Sequence, residues 1–279
     1  MRTFILLGIF LIAWLIFAQS CMKFHIDDAT ASKQFSEAGV PLKLENIPVD
    51  GFNMHYAKTG SDSLPTLFFV HGSPGSWDAF AQYLKDKDLL KKYRMISIDR
   101  PGFGDSEFGK AKNLEEQSQL ISPLLTYFQN KKPVYIIGHS LGGPMAIRLV
   151  ADNPDYFSGI VLLAGSVDPD EEKPEKWRPI LYKTPFRFAV PGAMRPSNEE
   201  LWYLKKDLKI LKNDFAKITC PVWIMHGDKD DLVPVGNAAY AKKMLVNSKK
   251  VETIILPGAN HFIPWQHYAE IKEVLMKME

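Results

Sequence analysis

The chain has 279 residues, of which 46% are hydrophobic and 24% are charged; this balance excludes intrinsic disorder and allows a sizeable buried core. Its 34 basic and 32 acidic side chains give a formal net charge of +2, so no strong single-sign field points to nucleic acid as a partner. With two cysteines, Cys21 and Cys220, the chain cannot be a small domain held together by a disulfide framework.

The first twenty residues are predicted to be a targeting segment. Phe4 to Ala18 is an uninterrupted apolar run after Arg2, and it is shorter than the roughly 20 residues that span a bilayer. The run closes on Ala-Gln-Ser-Cys, which resembles a bacterial lipoprotein signal and implies that Cys21 carries a lipid after cleavage. An uncleaved N-terminal anchor and an ordinary secretory signal are the alternatives. Each interpretation places the rest of the chain outside the cytoplasm, and the first two attach it to a membrane.

Residues 21–40 are polar and aperiodic, and they are predicted to be a linker. From residue 41 onward, short β-rich runs alternate with longer helical stretches, a pattern typical of a mostly parallel sheet covered on both faces. The first two runs are separated by three residues, which predicts a hairpin at the sheet edge, because parallel strands need a long crossover. Strands are predicted near 42–48, 52–58, 66–70, 94–98, 134–138, 159–164, 222–226 and 251–256.

The alternation lapses between Gly165 and Ile218, where six prolines interrupt the chain. We interpret residues 165–218 as an insertion after the sixth strand. Within it, Glu199 to Asn213 has helical spacing, with leucines at 201, 204, 208 and 211 on one face. This stripe either packs on the main domain or lines a pocket beneath a cap. We favour the cap, because open α/β sheets bind ligands at the carboxyl ends of their strands.

Ser140 is the strongest candidate for a reactive side chain. It is the centre of Gly-His-Ser-Leu-Gly at residues 138–142, between an apolar strand and a predicted helix. The glycines suit a strained turn in which side chains would clash with the neighbouring strand and helix. A serine hydroxyl also needs a histidine to take its proton and a carboxylate to hold that histidine. The histidines downstream are His226, His261 and His267, and the residue types alone do not choose among nearby carboxylates Asp168, Asp228, Asp230 and Asp231.

Several motifs in this order resemble those of the α/β-hydrolase family, over residues from about 42 to 279. They are His-Gly-Ser-Pro-Gly-Ser-Trp at 71–77, Asp-Arg-Pro-Gly-Phe-Gly-Asp-Ser at 99–106, the Ser140 pentapeptide, and Gly-x-x-Asp-x-x-x-Pro at 227–234. The resemblance implies an α/β-hydrolase fold, with an eight-stranded, mostly parallel sheet, helices on both faces and a helical cap after strand 6. Epoxide hydrolases and haloalkane dehalogenases have aspartate where Ser140 stands, so these activities are disfavoured.

The resemblance also implies the roles of individual residues, since in this family the acid and the base follow the serine. His261, in the loop after the last strand, becomes the base. Asp230 becomes the acid that orients it, with Asp168 and Asp228 as alternatives. The segment 99–106 is interpreted as a structural turn.

The backbone N–H groups of Ser73 and Leu141 are expected to form an oxyanion hole. Together these features predict a serine hydrolase, by default a carboxylesterase or lipase-like enzyme on a small apolar ester. Thioesterase, peptidase, carbon–carbon bond hydrolase and non-catalytic binding protein are the alternatives. No cysteine and histidine cluster has ligand spacing, so neither a metal nor an organic cofactor is expected. The expected partners are a small-molecule substrate and, through the N-terminus, a membrane, with the chain as a monomer.

Overall fold

Each β-rich run of the sequence forms a strand in the computed structural model, which describes residues 2–20, 22, 24–183 and 185–278. The strands are β1 Lys43–Val49, β2 Phe52–Thr59, β3 Thr66–Val70, β4 Arg94–Ile98, β5 Val134–His139, β6 Gly159–Leu163, β7 Val222–Gly227 and β8 Val251–Leu256. They form one sheet in the order β1-β2-β4-β3-β5-β6-β7-β8. The β1–β2 hairpin is antiparallel and lies at the edge, β2 is antiparallel to β4, and the other pairs are parallel. The predicted fold class and edge hairpin are confirmed.

Helices cover both faces of this sheet, because alternate side chains of the central strands enter two separate cores. Phe68 and Val70 of β3 belong to one core, and Leu67 and Phe69 belong to the other. The helices are α1 Arg2–Ser20, α2 Asp28–Glu37, α3 Ala81–Leu84, α4 Lys87–Lys92, α5 Leu114–Tyr127, α6 Gly142–Asp152, α7 Arg178–Lys183, α8 Met194–Leu211, α9 Gly236–Met244, α10 Ile263–Gln266 and α11 Tyr268–Lys277.

The predicted linker, residues 21–40, contains helix α2 and is not a free connection. Asp27 caps this helix by accepting the N–H of Thr30 at 2.9 Å. Ala31 and Phe35 lie four residues apart, are fully buried, and belong to the core on one face of the sheet. Two apolar side chains on one face were too weak a pattern to predict a helix in an otherwise polar segment.

Helix α1, in the N-terminal segment, forms hydrogen bonds with the insertion after β6. The Trp14 indole N–H donates to the Ala189 carbonyl at 2.9 Å, and the Gly192 N–H donates to the Ala18 carbonyl at 2.9 Å. Most large apolar side chains of α1 are exposed. Across the described part of the chain, no helix combines the length and the apolar character needed to cross a membrane.

The insertion at 165–218 contains α7, α8 and two short 3-10 turns, Pro185–Ala189 and Phe215–Lys217. Helix α8 begins at Met194, before the predicted start at Glu199. Leu204, Leu208 and Leu211 are buried in the core that α5 and α6 share with the sheet. The preference for a pocket-lining leucine stripe was therefore wrong, because this face of α8 packs on the main domain.

Candidate active site

Ser140 occupies the turn between β5 and α6. Its φ of 54° lies in the left-handed region that residues other than glycine rarely adopt. Its N–H donates to the Leu163 carbonyl at 2.9 Å, which ties the turn to β6. A Cβ at Gly138 would overlap the Gly142 carbonyl oxygen, and a Cβ at Gly142 would overlap the Val70 carbonyl oxygen. The surrounding backbone thus holds Ser140 in a strained conformation and requires both glycines of the motif.

His261 and Asp230 lie together beside the carboxyl ends of β7 and β8. Nδ1 of His261 is 2.7 Å from Oδ2 of Asp230, while Oδ1 of Asp230 accepts the N–H groups of Leu232 at 3.0 Å and Val233 at 2.8 Å. Burial acts to raise the pKa of Asp230, but the hydrogen bonds from His226, His261 and Val233 outweigh it and hold that pKa well below its ordinary value. The ionised carboxylate keeps the proton of His261 on Nδ1, so Nε2 is the acceptor.

The two alternative acids are engaged with other groups. Oδ1 of Asp228 accepts the N–H of Gly258 at 2.6 Å, and Oδ1 of Asp168 accepts the N–H of Asp170 at 2.8 Å. Of the three candidates, Asp230 is the one that the structure brings into contact with His261.

His226, which was not chosen as the base, supports the acid. It is fully buried at the end of β7. Its Nε2 donates to the Val233 carbonyl at 2.8 Å and lies 3.4 Å from Oδ2 of Asp230. Histidines therefore flank this carboxylate on two sides. His267, by contrast, lies near the surface and contacts Glu270 at 3.0 Å.

His139, inside the pentapeptide, is a site residue that the sequence analysis missed. Its Nε2 donates to the His261 carbonyl at 3.1 Å, and the two rings are 4.9 Å apart. Burial, with the neighbouring His261, lowers the pKa of His139 to about 3, so the ring is neutral at pH 7. His139 thus fixes the backbone that carries His261. Its place beside Ser140 was the only signal for this role in the sequence.

The loop that follows β3 lies directly against Ser140. A Cβ at Gly72 would come within 2.9 Å of the Ser140 Cβ. The Gly72 carbonyl accepts hydrogen bonds from Nδ1 of His71 at 2.7 Å and from Nη2 of Arg100 at 2.8 Å. Because a trans peptide is planar, its C=O and N–H groups point in opposite directions, so holding this carbonyl also fixes the direction of the Ser73 N–H. Leu141 follows Ser140 at the start of α6, where the first N–H groups have no partner within the helix.

Arg100 connects this loop to the insertion. It is fully buried, and its guanidinium forms a two-pronged ion pair with Glu200 of α8, at 2.7 and 2.9 Å. The same group donates to the carbonyls of His71 at 2.9 Å and Gly72 at 2.8 Å, and to Gln117 at 3.0 Å. The segment 99–106 therefore does more than form a turn, since Arg100 sets the position of the loop beside Ser140.

Helix α8 also contacts the loop directly. Oγ of Ser73 donates to Oγ of Ser197 at 2.8 Å. The side chains of α8 from Ser197 to Glu200 are buried, so the start of this helix covers the loop. The inserted segment therefore meets the site through the beginning of α8, while the leucine stripe further along packs elsewhere.

Cys220 does not belong to this cluster. Cys220 is buried in the core, and burial raises the pKa of its thiol to about 11, so it stays protonated. It packs as a small apolar group before β7. Cys21 lies outside the described residues.

Comparisons with known proteins agree with this fold. Residues 65–190 match the family model described as the alpha/beta hydrolase fold. A relative from Bacillus subtilis, named uncharacterized hydrolase YugF, is 32% identical over 133 residues, covering 47% of this chain. The aligned region spans 46% of that relative, so this chain covers less than half of its length.

Solved structures show the same fold at low sequence identity. A putative lipase from Acinetobacter baumannii has a TM-score of 0.63 and 19% identity, over 90% of this chain and 98% of that chain. A structure titled a membrane phospholipase A, a bacterial virulence factor, has a TM-score of 0.60 and 17% identity, over the full length of both chains.

Proposed function

We propose that this chain, which has the α/β-hydrolase fold, is a serine hydrolase that cleaves carboxylic esters through an acyl-enzyme. The observation that carries the proposal is the arrangement around Ser140. A strained serine, a histidine paired with an ionised aspartate, and a loop with a fixed N–H lie at the same end of the sheet. These are the groups that acyl transfer requires.

In the first step, Oγ of Ser140 attacks the ester carbonyl carbon while Nε2 of His261 takes the hydroxyl proton. The carbonyl oxygen becomes an oxyanion, and the N–H groups of Leu141 and Ser73 stabilise it. The carbon–oxygen bond to the leaving group breaks as the protonated His261 donates its proton, which releases the alcohol. Asp230 stays ionised and stabilises the imidazolium.

In the second step, a water molecule attacks the acyl-serine, and His261 takes its proton. The second oxyanion collapses, the bond to Ser140 Oγ breaks, and His261 returns the proton to the serine. The carboxylic acid leaves. The residues described here supply every proton acceptor and donor that the two steps use.

We expect the substrate to be an ester with an apolar acyl group. The insertion meets the site through the start of α8 and carries the exposed apolar side chains of Trp177, Phe186 and Phe188, and apolar surfaces bind apolar ligands. The putative lipase and the membrane phospholipase A, which share this fold, carry names that agree with a lipid ester, although their low identity supports only the fold.

A fluorophosphonate probe tests the proposal directly. Folded protein is expected to lose esterase activity as it gains one adduct, which peptide mass spectrometry locates on Ser140. The probe should be followed by a screen of p-nitrophenyl esters of graded acyl length, thioesters and peptides. Absence of an adduct from folded protein would favour a non-catalytic binding protein, and a thioester or peptide preference would replace the ester assignment.

Glu200→Gln is expected to lower kcat about 10- to 100-fold and to leave KM within about threefold of the parental value. Complete loss of one oxyanion donor lowers kcat about 10²–10³-fold. The variant removes the charge that holds Arg100, whose guanidinium holds the Gly72 carbonyl and so the Ser73 N–H. The interaction stabilises the oxyanion more than the bound ester, so the effect falls on kcat. Steady-state kinetics on p-nitrophenyl butyrate measure it.

The neighbouring residue provides a matched control. Glu199 is also a buried carboxylate of α8, but it faces Arg187, with Nε 3.2 Å away. Glu199→Gln is expected to keep kcat within about threefold, whatever its effect on Tm. Glu200→Asp, which keeps the charge, should recover part of the loss. If Glu200→Gln lowered Tm but left kcat unchanged, the ion pair would be only structural.

We also keep the proposal that the chain is a monomer attached to the outer side of a membrane by its N-terminus. Exposed large side chains of the insertion support it: Trp177, Ile180, Phe186 and Phe188. The segment 176–198 that carries them has five basic and no acidic residues, a composition suited to an anionic bilayer surface. Mass spectrometry of the mature N-terminus tests it. An unmodified chain beginning at Met1 and recovered free of membranes would contradict it.

A further inference from the structure

His55, on β2, is a buried histidine that has no role in the proposed catalysis. The side chain is 1% exposed. Its Nδ1 lies 2.7 Å from Oδ2 of Asp99, which also accepts the Asp105 N–H, so Nδ1 is the protonated nitrogen. Nε2 is buried and has no hydrogen-bond partner among the described residues. A buried polar atom left unpaired is costly, so it calls for an explanation.

Two carboxylates complete a cluster around this ring. One ring nitrogen of His55 and one oxygen each of Asp28 and Asp105 lie within 4.8 Å of one another. Because Asp99 occupies Nδ1, Nε2 is the nitrogen open to a ligand. Both acidic side chains are exposed, and Oδ2 of Asp105 also lies 3.9 Å from Nδ1 of His25. Metal–ligand distances of about 2.0–2.2 Å place neighbouring ligand atoms about 3.3 Å apart, so metal binding requires these side chains to rotate toward one another.

We propose that His55, Asp28 and Asp105 bind a divalent transition-metal ion of the zinc type. An imidazole nitrogen with two carboxylates suits zinc, whereas calcium and magnesium prefer oxygen ligands alone. Asp99 occupies the position of the carboxylate that orients a metal-bound histidine through its other nitrogen. This inference does not depend on the proposed esterase activity.

The site would join three segments that are distant in sequence. Asp28 begins α2, His55 lies in β2, and Asp105 lies in the loop after β4. A metal ion bound to all three would hold the N-terminal segment on the domain. The proposed zinc site differs from the expectation, drawn from the sequence, that the protein binds no metal. The sequence could not reveal the site, because ligands so far apart form no motif with a recognisable spacing.

Zinc titration of the full chain, after removal of metals with a chelator and dialysis, tests the proposal. We expect one zinc per chain by elemental mass spectrometry after dialysis, and a rise in Tm of roughly 5 °C at saturation. Asp28→Asn and Asp105→Asn change exposed side chains and should fold, and each is expected to weaken zinc binding at least tenfold. Asp155→Asn, another exposed carboxylate, is the control and should bind zinc normally.

Three outcomes would overturn the inference. The first is absence of both retained zinc and a Tm shift. The second is equal zinc affinity in Asp28→Asn, Asp105→Asn and the parent chain, which would place zinc at another group such as His267 with Glu270. The third is equal stabilisation by calcium, which would show that the imidazole is not a ligand.

Discussion

Ser140→Ala is expected to lower kcat for p-nitrophenyl butyrate by at least about 10⁴-fold, because the acyl-enzyme cannot form without the hydroxyl. KM should change little, since the groups that bind the substrate remain. The backbone contacts that hold the turn, including the N–H of residue 140 to the Leu163 carbonyl, do not involve the side chain. The protein should therefore fold with an unchanged or slightly higher Tm, measured by thermal unfolding.

Ser32→Ala is the matched control, since Ser32 is an exposed serine of α2. It is expected to keep the parental kcat. Ser140→Ala should also lose labelling by the fluorophosphonate probe, whereas Ser32→Ala should be labelled as the parent is. A folded Ser140→Ala protein with the parental rate would exclude Ser140 as the nucleophile and end the proposed mechanism.

Most of the fold could be predicted because its signals are local. Runs such as Leu67–Val70 are apolar on both faces, and the structure places β3 between β4 and β5 in the middle of the sheet. Helix α2 could not be predicted, since only Ala31 and Phe35 are buried and the segment is otherwise polar. The leucines of α8 have a clear helical period, but a period identifies a face and not what that face contacts.

Some residues of the site could also be predicted from the sequence, and others could not. Ser140 lies in a contiguous motif, and the loops of Asp230 and His261 follow strands whose ends the sheet brings together. The partners of Arg100 could not be found, because Glu200 lies 100 positions away and meets it only when α8 packs on the loop. The role of His139 depends on the carbonyl of His261, and backbone partners leave no trace in residue types.

Asp230→Asn is expected to lower kcat about 10⁴-fold with little change in KM. Oδ1 would still accept the N–H groups of Leu232 and Val233, so the loop should keep its shape. The new amide would then place N–H groups against Nδ1 of His261, where the carboxylate now accepts a proton at 2.7 Å. Two donors cannot share that contact, so His261 would move its proton to Nε2 and lose the lone pair that takes the Ser140 proton.

The other two candidate acids are the controls for this variant. Asp228 and Asp168 accept backbone N–H groups at 2.6 and 2.8 Å, bonds that an asparagine oxygen can still accept. Asp228→Asn and Asp168→Asn are therefore expected to keep kcat within about threefold. If Asp168→Asn lost the activity and Asp230→Asn kept it, the acid would be Asp168 and the contact between Asp230 and His261 would be structural. If Asp230→Asn lost the activity and Asp168→Asn kept it, Asp230 would be the carboxylate that orients His261. Its hydrogen bonds already keep it ionised.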